Sequence, residues 1–359
     1  MKIRVRHIRT LALILAGVVP LPGSRPSLRS GADRTGMLMG AAVRPAQLSE
    51  VAYATTLGRE FNMVEPEDAM KWWIVRRNQE AFDFRQGDEV VRFAEAHGMK
   101  VRGHCLVWAR DNPEWLAQGH FTPAQLSRLL HDHIAHVMKH YAGQVFAWDV
   151  VNEALDENGD VRDSIWYNRP GIGLAGKRTR YIERAFRWAH KADPQALLFY
   201  NEAEGEELGK KSDAIYDMVR SFKHRGVPID GVGLQLHISK LDLDVAGLEA
   251  NITRLAALGV QVHITELDVS VPLNPEEELV NKDDLTHQAQ IYRSVVRACL
   301  QTSGCTAIQT WGFTDKYSWI RSSSHGSRGM ALPLDRTYRP KPAYDAILEE
   351  ITGGRNHKR

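Results

Sequence analysis

Short apolar runs alternate with longer helical segments along this chain, and that alternation limits its possible folds more than any other feature. Eight runs rich in Val, Ile, Leu and aromatic residues predict buried strands at 38–43, 61–65, 100–107, 145–151, 196–201, 230–237, 260–267 and 306–312. Apolar residues at helical spacing predict helices between them at 86–98, 122–143, 178–194 and 285–300. This order indicates an α/β fold, a single-domain (β/α)8 (TIM) barrel, for which 359 residues suffice. An open, doubly wound sheet is the alternative, but no G-x-G-x-x-G loop follows the first strand.

The N-terminal segment has the pattern of an export signal. Residues 1–9 are basic, residues 10–19 (TLALILAGVV) are apolar apart from Thr10, and a small polar stretch follows. This pattern predicts a secretory signal over about residues 1–25, cleaved between 23 and 31, and a secreted or periplasmic protein. A buried first helix or a lone membrane anchor is the alternative. No apolar run reaches the roughly 18 residues of a membrane span, so we expect no membrane association of the mature form.

Charge is concentrated at the two termini. The chain has 46 Lys and Arg against 44 Asp and Glu, a net charge of +2. Seven of the cations lie at the ends, namely Lys2, Arg4, Arg6, Arg9, Arg355, Lys358 and Arg359. The body between them is therefore slightly acidic, which argues against a nucleic-acid partner. We expect a catalytic domain over 36–352 and a disordered basic tail over 353–359.

The chain has only three cysteines. Cys299 and Cys305 are six positions apart, and in an oxidising compartment they could close a small disulfide loop worth about 2 kcal/mol. Two unrelated buried thiols are the alternative. Cys105 has no obvious partner and is expected to be a free, buried thiol.

Polar and aromatic side chains gather at the carboxyl ends of the predicted strands, where barrel enzymes carry their chemistry. They are Glu67, Lys71, His104, Trp108, Asn152, Glu153, Asn201, Gln235, His237, Glu266, Asp268 and Trp311. Acids and amides bind hydroxyl groups, and indoles stack on the apolar faces of sugar rings. The set therefore indicates a carbohydrate site. No phosphate-binding loop or H-E-x-x-H motif is present, so we expect no metal and no cofactor.

Two glutamates stand out within that set. Glu153 ends WDVVNE after the fourth predicted strand, and Glu266 lies in ITELD at the end of the seventh. These strands face each other across a barrel, so both carboxyl groups can point into one cleft. Glycosidic cleavage needs such a pair, one acid to protonate the leaving oxygen and one carboxylate to attack or to activate water.

The blocks FNMVEPEDAMKW, RGHCLVW, WDVVNE, GVGLQLH, ITELD, WGFTDKYSW and YRPKPAY occur in this order between about Met37 and Glu350. In that order they resemble glycoside hydrolase family 10, the retaining endo-β-1,4-xylanases, and the spacing of Cys299 and Cys305 resembles a disulfide common there. The resemblance implies a barrel enzyme that hydrolyses internal β-1,4 bonds of xylan or xylo-oligosaccharides without a cofactor. We expect a monomer.

The resemblance also implies roles for individual residues. Glu153 matches the general acid/base, Glu266 the nucleophile, and Asn152 the amide that binds the sugar 2-hydroxyl. His237 and Asp268 match groups that keep the nucleophile ionised, with Asn201 in support. The wall that binds the glycone, the sugar units on the nucleophile's side of the cleaved bond, matches Glu67, Lys71, His104, Trp108, Gln235, Trp311 and Trp319. A retaining mechanism predicts carboxyl groups about 5–5.5 Å apart.

The sequence departs from the family pattern at several places. Asp68 replaces a usual Asn, which puts contacts to the distal glycone sugar in doubt, and Ala109 replaces a common His. Glu202-Ala203-Glu204 follows Asn201 where another run is usual, and an acidic segment, 270–285, follows ITELD. Two other functions therefore stay open. One is a retaining β-glycosidase of the same fold acting on another polysaccharide or oligosaccharide, and the other is a non-catalytic carbohydrate-binding barrel.

Overall fold

The computed structural model describes residues 25–353. The predicted export signal lies outside the described residues except for Arg25, and so does the predicted tail after Gly353. The barrel strands are β1 (Leu38–Val43), β2 (Met63–Pro66), β3 (Lys100–Gly103), β4 (Ala147–Asn152), β5 (Leu197–Glu202), β6 (Gly231–Leu234), β7 (Gln261–Val269) and β8 (Cys305–Thr310).

These strands form a closed ring. Each pairs in parallel with the next along the chain, and β8 pairs with both β7 and β1. At the closing seam Leu38 lies opposite Ala307 and Ala41 opposite Thr310. Because each of the eight described strands pairs with a neighbour along both of its edges, this ring has no open edge. The predicted (β/α)8 barrel is confirmed.

Helices surround the ring. They are α1 (Leu28–Thr35), α2 (Val51–Glu60), α3 (Arg85–Ala96), α4 (Pro123–His140), α5 (Arg180–Ala192), α6 (Lys210–His224), α7 (Val245–Ala256), α8 (Asp284–Gln301) and α9 (Pro342–Gly353), with short helical turns at Pro45–Ser49, Trp72–Val75, Glu114–Ala117 and Ile320–Ser323. One helix from α2 to α9 follows each barrel strand. The four helices expected from periodicity lie within three residues of their predicted ends.

Local chemistry explains where these helices begin and which face they bury. α4 starts after Thr122, whose hydroxyl accepts the backbone N–H of Gln125 while the Gln125 side chain accepts the N–H of Thr122. α5 buries one stripe that includes Tyr181, Ile182, Ala185, Phe186 and Ala189, at the spacing of one helix face.

The folded body starts earlier than the predicted boundary at residue 36. α1 begins at Leu28, with Ser27 as its cap, and the N–H of Leu28 donates to Glu60 at 3.0 Å. Tyr344 of α9 donates to the same carboxylate at 2.8 Å, so α1 and α9 share one buried partner. Gly353 is the last residue of α9 rather than the first residue of a tail.

Two predicted strands are interrupted, and the interruptions shape the site. The run 100–107 leaves the sheet after Gly103 and rejoins it at Val107–Trp108, which pairs with β4 so that Trp108 lies opposite Asn152. The run 230–237 leaves after Leu234 and rejoins at His237–Ile238, where His237 lies opposite Asp268 of β7. The short pairings therefore place an indole and an imidazole beside the polar ends of the neighbouring strands.

The predicted disulfide joins α8 to β8. Cys299 and Cys305 are bonded with an S–S distance of 1.97 Å, and Cys105 is a buried free thiol, as expected. Among residues 25–353, no helix combines the length and the apolarity that crossing a bilayer requires.

Candidate active site

A cavity of about 1000 Å³ opens at the carboxyl end of the barrel. The predicted site residues that line it are Glu67, Lys71, His104, Trp108, Asn152, Glu153, Gln235, His237, Glu266, Trp311 and Trp319. Asn201 and Asp268 lie behind this lining and are buried. The structure therefore brings together side chains that seven different strand ends supply.

Glu153 follows β4 directly, at a left-handed backbone position (φ 51°). Its backbone N–H donates to the carbonyl of Asn201 at 3.0 Å, which holds the strand end against β5. Its Oε1 accepts from Gln235 Nε2 at 3.2 Å and from Asn152 Nδ2 at 3.4 Å. The carboxyl group is thus contacted by neutral amides and is only half-buried.

Glu266 is more enclosed, with 4% of its surface exposed within β7. Asn201 Nδ2 donates to its Oε1 at 2.7 Å, and His237 Nε2 lies 3.1 Å from its Oε2. Burial alone would raise the pKa of Glu266, but the hydrogen bond and charge of His237, with the Asn201 amide, hold it below its ordinary value. Glu266 is therefore kept as a carboxylate inside the cavity wall.

His237 lies between two acids. Its Nδ1 is 2.9 Å from Asp268 Oδ2, and its Nε2 contacts Glu266. Burial would lower the pKa of His237, but the charges of Asp268 and Glu266 raise it well above its ordinary value. Because an ionised carboxylate only accepts, an imidazole between two of them must donate from both nitrogens. His237 is therefore an imidazolium when both acids are ionised.

A chain of amides links the two glutamates. Asn152 Oδ1 accepts from Asn201 Nδ2 at 2.9 Å and from Gln235 Nε2 at 3.3 Å. Asn201 also donates to Glu266, and Gln235 also donates to Glu153. The two carboxyl groups therefore line one cavity and are joined by one hydrogen-bond network. Their separation of about 5–5.5 Å stays a prediction.

One side of the cavity carries the indoles and a buried cation. Lys71 Nζ lies 4.8 Å from the ring centre of Trp108 and 5.8 Å from that of Trp311. It also donates to Asp68 Oδ1 at 3.0 Å. Burial would lower the pKa of Lys71, but the charge of Asp68 raises it, so Lys71 stays cationic. The Asp that replaces the usual Asn is therefore paired with a lysine of the same wall.

Glu67 is paired as well. Arg44 Nε donates to its Oε2 at 2.8 Å, and a second guanidinium nitrogen contacts Oε1. Arg44 lines the cavity, although it is not among the residues predicted from the sequence. Nothing in its surroundings in the sequence marks it, since it stands among ordinary loop residues after β1.

Beneath the cavity lies a charged cluster that the sequence analysis also missed. Arg102 is fully buried, contacts Asp149 through two nitrogens, and has its Nε 3.3 Å from Glu65 Oε2. His104 is 2% exposed and bonds Asp149 through Nδ1 at 2.9 Å. The sequence does contain a signal for this cluster, because Glu65, Arg102 and Asp149 are each a charged residue within an otherwise largely apolar strand.

Glu65, His104 and Asp149 offer ligand atoms within 4.8 Å of one another, a grouping that could hold a metal ion. Arg102 pairs with both carboxylates, so its guanidinium already supplies the positive charge that would balance them. The cluster supports His104 from below, and His104 is thus both a satisfied core residue and part of the cavity lining.

A second side of the cavity is built from the loops after β4 and β5. Its lining includes the buried pair Lys211–Glu202 (3.1 Å), Arg162 and the half-exposed Leu208. The indoles and imidazoles of the described lining follow β3, β6 and β8 instead. The cavity therefore has an aromatic side, where Trp108 and Trp311 flank Lys71, and a charged side after β4 and β5.

Comparison with known proteins agrees with this geometry. Residues 27–350 match glycosyl hydrolase family 10, so the chain belongs to that family and is a glycoside hydrolase. It is similar to endo-1,4-beta-xylanase B of Thermotoga neapolitana, with 38% identity over 349 residues, 96% of this chain and 97% of that protein. Endo-1,4-beta-xylanase C of Phanerodontia chrysosporium is 36% identical over 91% of this chain and 79% of that protein.

A solved structure is similar over nearly the whole barrel. The crystal structure of xylanase 10B from Thermotoga petrophila, in complex with xylobiose, superposes with a TM-score of 0.86 at 38% identity. It covers 92% of this chain and 98% of its own.

Proposed function

We propose that this protein is an endo-1,4-β-xylanase that cleaves internal β-1,4-xylosidic bonds of xylan by a retaining double displacement. The observation that carries the proposal is the shared cavity of Glu153 and Glu266, with Glu266 held ionised by His237 and Asn201. The two named relatives add support, since both are endo-1,4-beta-xylanases similar over most of this chain.

In the first step the Glu266 carboxylate attacks the anomeric carbon while Glu153 gives its proton to the leaving oxygen. The bond to the leaving sugar breaks, and a covalent glycosyl ester forms on Glu266. In the second step Glu153, now a carboxylate, takes a proton from water as that water attacks the ester. Glu266 returns as a carboxylate and Glu153 as an acid, so the cycle closes with the anomeric configuration retained.

The different surroundings of the two glutamates support this division of roles. A nucleophile must be ionised before substrate arrives, and Glu266 has an imidazolium and an amide as donors. Glu153 must change its protonation state within each cycle, and it bonds amides rather than a fixed cation. A buried ion pair on Glu153 would oppose that change.

Substrate recognition follows from the aromatic side of the cavity. Indole faces of Trp108 and Trp311 offer the negative π surface on which the C–H face of a pyranose packs. Asn152 can donate to a sugar hydroxyl at the reacting unit, because its Nδ2 has only a 3.4 Å contact with Glu153. Xylobiose in the related Thermotoga petrophila structure supports a xylo-oligosaccharide as the ligand here.

We also propose that the enzyme is exported and acts as a monomer. Xylan is too large to enter a cell, so an enzyme that acts on the polymer needs to work outside the cytoplasm. The Cys299–Cys305 disulfide is compatible with an oxidising compartment.

The decisive experiment follows the anomeric configuration of the first product by NMR during hydrolysis of xylo-oligosaccharides. We expect the β-anomer first and reducing ends from xylan rather than from cellulose. Glu266→Ala should lose several powers of ten in rate, with azide restoring turnover of an activated aryl xylobioside. Glu89→Ala, an exposed glutamate on α3, is the control. Initial release of the α-anomer, or full activity of Glu266→Ala, would overturn the proposal.

A further inference from the structure

We propose that Trp319 is a positioning residue for the nucleophile: its indole N–H holds Asp268, and through Asp268 it sets the imidazolium that keeps Glu266 ionised. The inference rests on the proposed role of Glu266. It goes beyond sugar stacking, which is the role that the resemblance implies for Trp319.

A continuous line of hydrogen bonds carries this inference. Trp319 Nε1 donates to Asp268 Oδ2 at 2.8 Å. The same oxygen lies 2.9 Å from His237 Nδ1, and His237 Nε2 lies 3.1 Å from Glu266 Oε2. The rings of Trp319 and His237 also meet edge to face, with centres 5.2 Å apart. The indole therefore touches both members of the pair that supports the nucleophile.

Asp268 depends on this donor because it has few others. The carboxylate is 1% exposed, and its Oδ1 has no hydrogen-bond partner. Its side-chain donors are the Trp319 indole and the His237 imidazole, both on Oδ2. Without the indole N–H, this buried carboxylate would keep a single side-chain donor and would be free to turn away from His237. The imidazolium would then be held less firmly against Glu266.

Trp319 differs in this respect from the other indoles of the cavity. Trp108 Nε1 is buried without a partner, and the Trp311 indole bonds no side chain among the described residues. Those two indoles serve the cavity through their faces. Only the Trp319 indole, among these three, connects the cavity wall to the acids beneath it.

The loop after β8 holds Trp319 from outside the cavity. The carbonyl of Trp319 accepts from the N–H of Ser323 at 3.1 Å, at the start of the turn Ile320–Ser323. The Trp319 side chain packs against the cluster formed by Ile320, Ala331 and Leu332. The loop therefore influences Glu266 through the hydrogen bonds that join Trp319, Asp268 and His237, rather than by direct contact.

Other charged and titratable groups also face this line. Lys71, His104 and Glu65 face Glu266, Glu206 faces His237, and Tyr292 faces Asp268. A change at Trp319 leaves all five in place. A shift of the acid limb in a Trp319 variant can therefore be assigned to the lost indole N–H rather than to these neighbours.

The test measures kcat/KM against pH with an aryl xylobioside and follows the acid limb, the fall in kcat/KM toward low pH. Trp319 and Asp268 are changed singly and together in a double-mutant cycle. Trp319→Phe keeps a ring on the cavity wall but removes the N–H, and we expect the acid limb to move up by at least about half a pH unit. Trp73→Phe changes an exposed tryptophan outside the cavity lining and should leave the acid limb in place. In an Asp268→Asn background, Trp319→Phe should add no further shift.

The pH dependence of covalent trapping by a 2-deoxy-2-fluoro xylobioside gives a second readout, because trapping reports on the nucleophile even when turnover is slow. An unchanged acid limb in Trp319→Phe would overturn the inference, and so would an equal shift with and without Asp268. Neither result would affect the proposed function, which fails only if Glu266 is dispensable or the first product is inverted.

Discussion

Asn201 Nδ2 lies 2.7 Å from Oε1 of Glu266 and 2.9 Å from Oδ1 of Asn152, so one amide nitrogen serves both the proposed nucleophile and the proposed 2-hydroxyl ligand. The orientation of this amide is set from behind, because the Thr265 hydroxyl donates to Asn201 Oδ1 at 2.7 Å. The NH2 group must therefore face Glu266. A residue that the sequence analysis placed in a supporting role thus contacts the site's central carboxylate directly.

This contact predicts the effect of Asn201→Asp on the pH profile. The native pKa of Glu266 is lowered, so activity should persist at acidic pH and fall only as pH drops through that lowered value. A second carboxylate in place of the donor opposes ionisation of Glu266 and should move the acid limb of kcat/KM upward by about one unit or more. Asn78→Asp, at an exposed turn, is the control and should leave the limb unchanged. A native-like limb in Asn201→Asp would show that the amide does not act on Glu266.

The buried Arg102 predicts a large loss of stability on truncation. Arg102→Met should lower the free energy of unfolding by about 3–5 kcal/mol, because buried Asp149 would lose both guanidinium contacts and Glu65 its ion pair, leaving His104 as their one cationic neighbour among the described contacts. Urea unfolding followed by circular dichroism measures the change. Arg220→Met removes an exposed pair with Asp217 and should cost less than about 1 kcal/mol. Equal losses in the two variants would contradict a structural role for the cluster.

The disulfide predicts a redox-dependent stability. Replacing Cys299 and Cys305 together by Ala should lower the free energy of unfolding by about 2 kcal/mol, since the closed loop is short. Dithiothreitol should lower the unfolding midpoint of the native protein and leave that of the double variant unchanged. The bond lies at the junction of α8 and β8, away from the cavity lining, so kcat/KM at moderate temperature should stay the same.

The pairing of Asp68 with Lys71 predicts a change in glycone affinity. Asp68→Asn replaces an acceptor-only carboxylate by an amide that can also donate to a hydroxyl, and it releases Lys71 from its ion pair. The KM for an aryl xylobioside should fall by about fivefold, the value of one ordinary hydrogen bond. An aryl xyloside, which lacks the distal sugar, serves as the internal control and should keep its KM. A parallel change for both substrates would place Asp68 at the reacting unit instead.

Apolar runs predict the strands well where the run and the strand coincide. β1 has its predicted ends, Leu38–Val43. They predict strands that are too long where apolar residues continue past the sheet. The run 100–107 leaves the ring at His104, and the run 230–237 leaves it at Gln235. Both departures turn a polar side chain into the cavity. Hydrophobicity alone cannot register them, since the flanking residues are as apolar as the strand.

The sequence by itself determined the alternation that closes the barrel and the positions of Glu153 and Glu266 at strand ends, because periodicity and place along a strand are local properties. Tertiary structure alone decided which groups meet: Trp319 on Asp268, Arg102 between Glu65 and Asp149, and Gln309 on Glu65 across 244 positions of chain. These contacts exist only once the ring is closed. Their charges and hydrogen bonds, rather than the motif letters, set the ionisation on which the proposed chemistry depends.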